Sequence, residues 1–175
     1  MNDYSFYLRL IHIPFGVFWA GGAMILAWYI IPAVKNSGPD GPRMMAAITG
    51  TNKFPVVLTI SATITVVVGW ILIYHNIEVF GKSWMGSPMG ISLSTGGVLG
   101  TIALLIGLTV SKPTVTKIQK ISAMIAETGN PPNDEQKLIL GRLQNRLFVA
   151  ARFIAILLAV TVILMAVARN AHMTH

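Results

Sequence analysis

The sequence lacks cysteine and is poor in charged residues. Because none of its 175 residues is cysteine, disulfides, thiolate metal sites and cysteine nucleophiles are excluded. Only 11% of the residues are charged, whereas an average soluble domain has about a quarter. This deficit predicts that lipid, rather than water, surrounds most of the chain.

Several catalytic motifs are also missing. The chain has no phosphate-binding glycine loop, no dinucleotide-binding glycine motif and no H-E-x-x-H metal motif. None of its six acidic residues falls in the middle of an apolar run, so hydrolysis or proton pumping through buried carboxylates is not predicted. These patterns leave open whether the protein is an enzyme.

The sequence does have four apolar runs that are long enough to cross a bilayer, for which about 20 residues suffice. The runs lie at about 6–31, 55–75, 89–110 and 147–168. The first run has no basic residues before it and is longer than the apolar part of a signal peptide, so we predict a retained helix. The predicted fold is one all-α domain over residues 1–175, a transmembrane four-helix bundle with up-down-up-down topology.

Prolines and glycines mark the expected helix ends. Pro32 should stop the first helix, Pro55 should open the second, and the third should end before Ser111. Beyond it, residues 115–127 carry apolar side chains at helical spacing, and Gly129 suits a left-handed helix end. We therefore expect a cytoplasmic helical hairpin extension between helices 3 and 4.

The fourth helix has its own start signal. Asn133 with Gln136, three residues later, resembles a capping box. This pair should open the helix that becomes the fourth span.

Basic residues are divided unequally between the two sides of the predicted bundle. Ten of the 13 Lys and Arg lie in the first and third connections and the adjoining helix ends, namely Lys35, Arg43, Lys53, Lys112, Lys117, Lys120, Lys137, Arg142, Arg146 and Arg152. The other side has Arg9, Lys82 and Arg169. The positive-inside rule then predicts a protein of the bacterial cytoplasmic (inner) membrane with both termini periplasmic. The net charge of +7 is explained by this topology, and no nucleic-acid partner is predicted.

Two histidines lie where the first and second helices reach the outer face. His12 is near the outer end of the first helix and His75 is at the outer end of the second. Because neighbouring helices run antiparallel, we expect the two imidazoles at one depth, where they could be the axial ligands of a haem b. The alternatives are a solvated His75 and a His12 that hydrogen-bonds to a neighbouring helix.

Residues around His12 support a cofactor site. Pro14 can kink the helix and open space. Gly16, one turn below His12, would let a flat ring approach the backbone. Arg9, one turn above, is positioned to pair with a propionate. Helix packing and a snorkelling arginine are the alternative interpretations.

Two further features have no assigned role. Arg152 lies inside the fourth apolar run, where it either snorkels or binds an anionic lipid, a quinone headgroup or a second cofactor. His172 and His175 end the chain at a spacing that could take a metal on a helix, with a frayed tail as the alternative.

The first helix resembles the opening helix of two related kinds of small bacterial membrane protein. Its run Leu8-Arg9-Leu10-Ile11-His12, followed by Phe18-Trp19-Ala20-Gly21-Gly22, is similar to CopD-like copper-resistance proteins and to HemJ-type protoporphyrinogen oxidases. The resemblance implies a haem-binding role for His12 and adds Trp19 to the candidate cofactor site. The proline-arginine pair of the HemJ pattern is absent after Ile31, which argues against protoporphyrinogen oxidase activity.

The leading hypothesis is a membrane-embedded b-type cytochrome-like protein or subunit that transfers electrons near the outer face. Its partners would be the lipid bilayer and either other membrane subunits or a periplasmic redox protein. One alternative is a cofactor-free accessory subunit of a larger membrane complex. The other is a CopD-like copper-handling protein, although the nine methionines are scattered along the chain.

Overall fold

The computed structural model describes residues 3–51 and 53–168. In this part of the chain every regular element is helical and there is no strand. The α-helices are α1 Asp3–Ile25, α2 Ile31–Asn36, α3 Gly41–Ala46, α4 Phe54–Phe80, α5 Pro88–Ile106, α6 Lys112–Thr128 and α7 Asp134–Ala168. The π-turns are Leu26–Ile30, Ala47–Thr51 and Gly107–Ser111, and the 3-10 turns are Gly38–Asp40 and Lys82–Gly86.

Four continuous helical segments are long and apolar enough to cross a membrane. These spans, numbered first to fourth in chain order, are Tyr4–Asn36, Phe54–Phe80, Pro88–Thr128 and Asp134–Ala168. They confirm the four apolar helices expected from the sequence. Each is longer than its apolar run, because the polar residues at the ends are helical as well.

Small side chains hold the four spans together. Helix α1 packs on α4 and α5 packs on α7, while contacts of α4 with α5 and of α1 with α7 complete a ring. The buried core between them consists of Trp19, Ala20, Ala23, Ala62, Ala103, Ile154 and Leu158. Alanines let helices approach closely, which is how membrane helices associate without a hydrophobic driving force.

The outside of the ring is covered with large apolar side chains. Val17 and Ile163 are 67% and 61% exposed, and Ile60 and Val98 are also exposed. An apolar surface on every span would be unfavourable in water but suits hydrocarbon. The surface therefore indicates a bilayer environment.

Two of the predicted helix ends are wrong. The first span does not stop at Pro32, because the π-turn Leu26–Ile30 leads directly into α2, with Pro32 in its first turn. The third span does not end before Ser111, because the π-turn Gly107–Ser111 leads directly into α6. In a π-turn each backbone carbonyl accepts from the N–H five residues later rather than four. Proline, which has no N–H to donate, can therefore follow the π-turn while the helix continues.

The predicted hairpin between the third and fourth spans is present. Helix α6 packs on α7 and ends at Gly129, whose φ of 63° is left-handed. The Gln136 backbone N–H donates to Asn133 Oδ1 at 2.8 Å, and the Asn133 N–H donates to Gln136 Oε1 at 2.9 Å. The capping box is thus confirmed, and so is Pro55 in the first turn of α4.

The bundle has two ends that differ in their connections. The N-terminal end contains the start of α1 and the connection at 81–87. The basic end contains the hairpin connection at 129–133 and the described part, 37–51, of the connection between the first and second spans.

Candidate functional site

A cavity of about 460 Å³ lies between the four spans towards the N-terminal end. It is called the histidine cavity, and residues from all four spans line it, among them Arg9, His12, Gly16, Trp19, Thr65, Gly69, Met89, Gly96, Gly97, Gly100, Leu158 and Met165. Four of the five predicted cofactor residues are therefore brought together at one cavity. The fifth, His75, does not line it.

The His12 side chain is fixed by a hydrogen bond to the second span. Its Nδ1 lies 2.9 Å from the backbone oxygen of Thr65. A carbonyl oxygen only accepts, so Nδ1 carries the hydrogen and Nε2 keeps its lone pair. Within the described residues Nε2 has no hydrogen bond. Metal-binding histidines are commonly held in this way, with one ring nitrogen on a carbonyl and the other on the metal.

A glycine makes room for the imidazole. A Cβ placed on Gly69 would lie 2.9 Å from His12 Cε1 and 3.3 Å from His12 Nδ1. Any larger residue at position 69 would therefore require the imidazole to shift from this position. Sequence reasoning missed both Thr65 and Gly69, although a glycine inside an apolar helical run is a known signal of close approach.

His75 lies at a different level of the bundle. Its ring packs edge-on against Tyr4, with the ring centroids 5.4 Å apart and the planes at 71°. His12 lies at the level of Thr65 and Gly69, about eight residues and so about 12 Å along the second span from His75. The expectation that His12 and His75 meet at one depth is therefore corrected. Their separation follows from how far α1 and α4 are offset along their axes where they pack together.

Two thioethers share the cavity with His12. Met89 and Met165 both line it, and a Cβ on Gly96 would lie 3.2 Å from Met165 Cε. Thioether sulfur is a soft ligand for haem iron or for Cu(I). The sequence gives no sign of this grouping because the two methionines are far apart in the chain. Among the residues that the structure describes, no three His, Cys, Asp or Glu side chains cluster.

A second cavity, of about 360 Å³, lies towards the basic end. It is called the serine cavity, and its polar lining residues are Thr59, Ser111, Lys112, Thr116 and Gln119. Trp19, which is 7% exposed, lines this cavity as well as the histidine cavity. Its indole is therefore a common wall of both.

Arg152 contributes to neither cavity. Its guanidinium carbon lies 4.2 Å from the centre of the Phe148 ring, one turn earlier on α7. Lys35 Nζ lies 6.0 Å from the centre of the same ring. Arg152 is thus held along the exposed face of its own helix by a cation–π contact. Arg169, His172 and His175 lie outside the described residues.

Comparison of the chain with protein-family models, with curated proteins and with solved structures finds no match. The resemblance of the first helix to CopD-like and HemJ-type proteins therefore stays a prediction.

Proposed function

We propose that this chain is a membrane-embedded b-type haem protein that transfers electrons and holds its haem in the histidine cavity. The observation that carries the proposal is the hydrogen bond between His12 Nδ1 and the Thr65 carbonyl. This bond orients the ring and leaves the Nε2 lone pair for iron. When bound, the haem would supply a one-electron couple.

The lining of the cavity suits a flat, largely apolar ring with acidic edges. Its volume of about 460 Å³ lies within the range of small-molecule sites. Gly100 on the third span leaves open space at the lining, since a Cβ there would meet no atom within 4 Å, so a ring can approach the backbone closely at that point. Arg9 lies on the same lining and is exposed, where its guanidinium is suited to a propionate.

A thioether would be the second protein ligand that holds the haem. His75 packs on Tyr4 outside the cavity, whereas Met89 and Met165 line the same cavity as His12. A His/Met pair is a common haem ligation and raises the reduction potential relative to two histidines. The proposal therefore replaces His75 with one of these two methionines.

The test is the absorption spectrum of the purified chain and of two histidine variants. His12→Ala should abolish haem retention, while His75→Ala should leave the reduced-minus-oxidised spectrum unchanged. Met89→Leu and Met165→Leu are measured in parallel. The variant whose haem changes from low-spin to high-spin identifies the methionine that binds the iron. Retention of an unaltered haem spectrum by His12→Ala would overturn the proposal.

A copper site is a second candidate, favoured by the same grouping of His12 with Met89 and Met165. One imidazole and two thioethers form a set that selects Cu(I). Metal analysis of the same preparations separates the two candidates. Copper bound without a b-type absorption band, and lost in His12→Ala, would support copper over haem.

We further propose an up-down-up-down topology in the bacterial inner membrane, with the basic end in the cytoplasm. Support comes from the basic residues of the first and third connections. Because the chain has no cysteine, single-cysteine variants report position directly. In intact cells an impermeant thiol reagent should label Ser83→Cys and leave Asn130→Cys unlabelled. The opposite labelling would reverse the topology.

A further inference from the structure

The serine cavity lies where two helices are locally widened. The π-turn Leu26–Ile30 interrupts the first span and Gly107–Ser111 interrupts the third. Leu26 and Ile31 at one turn, and Gly107 and Ser111 at the other, line the cavity. Single π-turns inside α-helices occur frequently at functional sites. Here two spans each have a π-turn at the same cavity.

The second π-turn leaves a hydroxyl without a partner. Thr109, Thr114 and Thr116 each donate to the carbonyl four residues earlier in the chain. For Ser111 the carbonyl four residues earlier belongs to Gly107, which accepts from the Lys112 N–H in the π-turn but not from the Ser111 hydroxyl. Ser111 Oγ is buried and has no hydrogen-bond partner within the described residues. Such a group is costly unless something binds it.

The rest of the lining defines what the cavity can bind. It is mostly apolar, with Leu58, Leu104 and Ile154 among its residues. Among the described lining residues none is acidic, Lys112 alone is charged, and Gln119 adds an amide. A suitable ligand is therefore neutral, largely apolar, and able to accept hydrogen bonds from Ser111 and from a second donor.

We propose that the serine cavity binds the ring of a lipid-soluble quinone. A quinone has two carbonyl acceptors on a flat apolar ring, and its tail can extend into the bilayer. Ser111 Oγ donates to one carbonyl, and Lys112 or Gln119 donates to the other. An anionic phospholipid suits the lining less well, because one lysine is a poor match for a phosphate diester in hydrocarbon. This inference does not depend on the haem in the histidine cavity.

The test is a titration of the purified full chain in detergent with decylubiquinone, followed by quenching of tryptophan fluorescence. Trp19 lines the cavity, so binding should give saturable quenching. Ser111→Ala should raise the Kd by roughly three- to tenfold, the factor that one hydrogen bond contributes.

The matched control is Ser94→Ala. Ser94 Oγ is also buried without a partner in the described part of the chain, but Ser94 lines neither cavity. Its variant should bind decylubiquinone as the unchanged protein does.

Three results would overturn the proposal. They are quenching that does not saturate, an equal Kd for Ser111→Ala and the unchanged protein, and displacement of decylubiquinone by phosphatidylglycerol. The haem spectrum of each sample is recorded alongside, so saturable, Ser111-dependent binding without haem would refute the haem proposal only.

Discussion

The two cavities occupy the same bundle but are built in different ways. The histidine cavity is lined by regular α-helix, with Gly100 facing open space. The serine cavity is lined in part by two π-turns, with Leu26 from one and Gly107, Leu108 and Ser111 from the other. The three π-turns in the described residues all lie towards the basic end.

This difference affects which polar groups each cavity presents. At the histidine cavity the His12 ring is held across two spans by a hydrogen bond, so a ligand finds an oriented group. At the serine cavity the buried Ser111 hydroxyl lies in a π-turn and has no hydrogen-bond partner within the described residues. One cavity offers a preorganised acceptor nitrogen, and the other offers an unsatisfied donor.

The largest expected effect comes from filling each cavity separately. Gly100 lines only the histidine cavity and Gly107 lines only the serine cavity. A Cβ on either glycine would meet no atom within 4 Å, so the first side-chain carbon of a leucine has room, and the other three carbons would occupy cavity space. Gly100→Leu should lose haem and still bind decylubiquinone. Gly107→Leu should keep haem and lose decylubiquinone binding. Loss of both ligands in both variants would show that the cavities are not independent.

A smaller effect is expected from Gly69→Ala. The new Cβ would lie 2.9 Å from His12 Cε1, so the ring must shift from its position against Thr65. Haem occupancy after purification should fall several-fold, because the ligand nitrogen is no longer oriented. Gly100→Ala, on the same cavity, adds a methyl group to open space and is the control. Equal occupancy in the two alanine variants would show that the orientation of His12 does not matter.

The smallest effect is expected at the hairpin, outside both cavities. Asn133→Ala removes the cap of α7 and should destabilise the start of this helix by about 1 kcal/mol. Hydrogen exchange at the Gln136 amide should accelerate roughly fivefold. Asn145→Ala, an exposed position in the middle of the same helix, should leave it unchanged. Haem and quinone binding should stay the same in both variants, and a change in either would link the hairpin to a cavity.

The features that sequence reasoning predicted correctly depend on short-range chemistry. The Asn133–Gln136 capping box, the left-handed Gly129 and the first-turn Pro55 each involve neighbours within a few residues. The four spans were also evident, because length and apolar composition decide whether a helix can cross a bilayer.

The predictions that failed depend on geometry between helices or on a change of helix type. Pro32 and Ser111 were expected at or just beyond helix ends because nothing in the sequence distinguished a π-turn from a stop. His12 and His75 were paired by counting residues from the helix ends. The actual register follows the fit of side chains such as His12 against Gly69, which depends on both helices at once. The grouping of Met89 and Met165 with His12 in one cavity depends on the packing of three spans, the first, third and fourth.

Trp19 gives the bundle one more property, since its indole borders both cavities and is packed among alanines. A ligand that moves the indole enlarges one cavity at the expense of the other. Thermodynamic reciprocity then requires each ligand to change the affinity of the other by the same factor. Through a single side chain, sites on opposite sides of the core would communicate without any rearrangement of the helices.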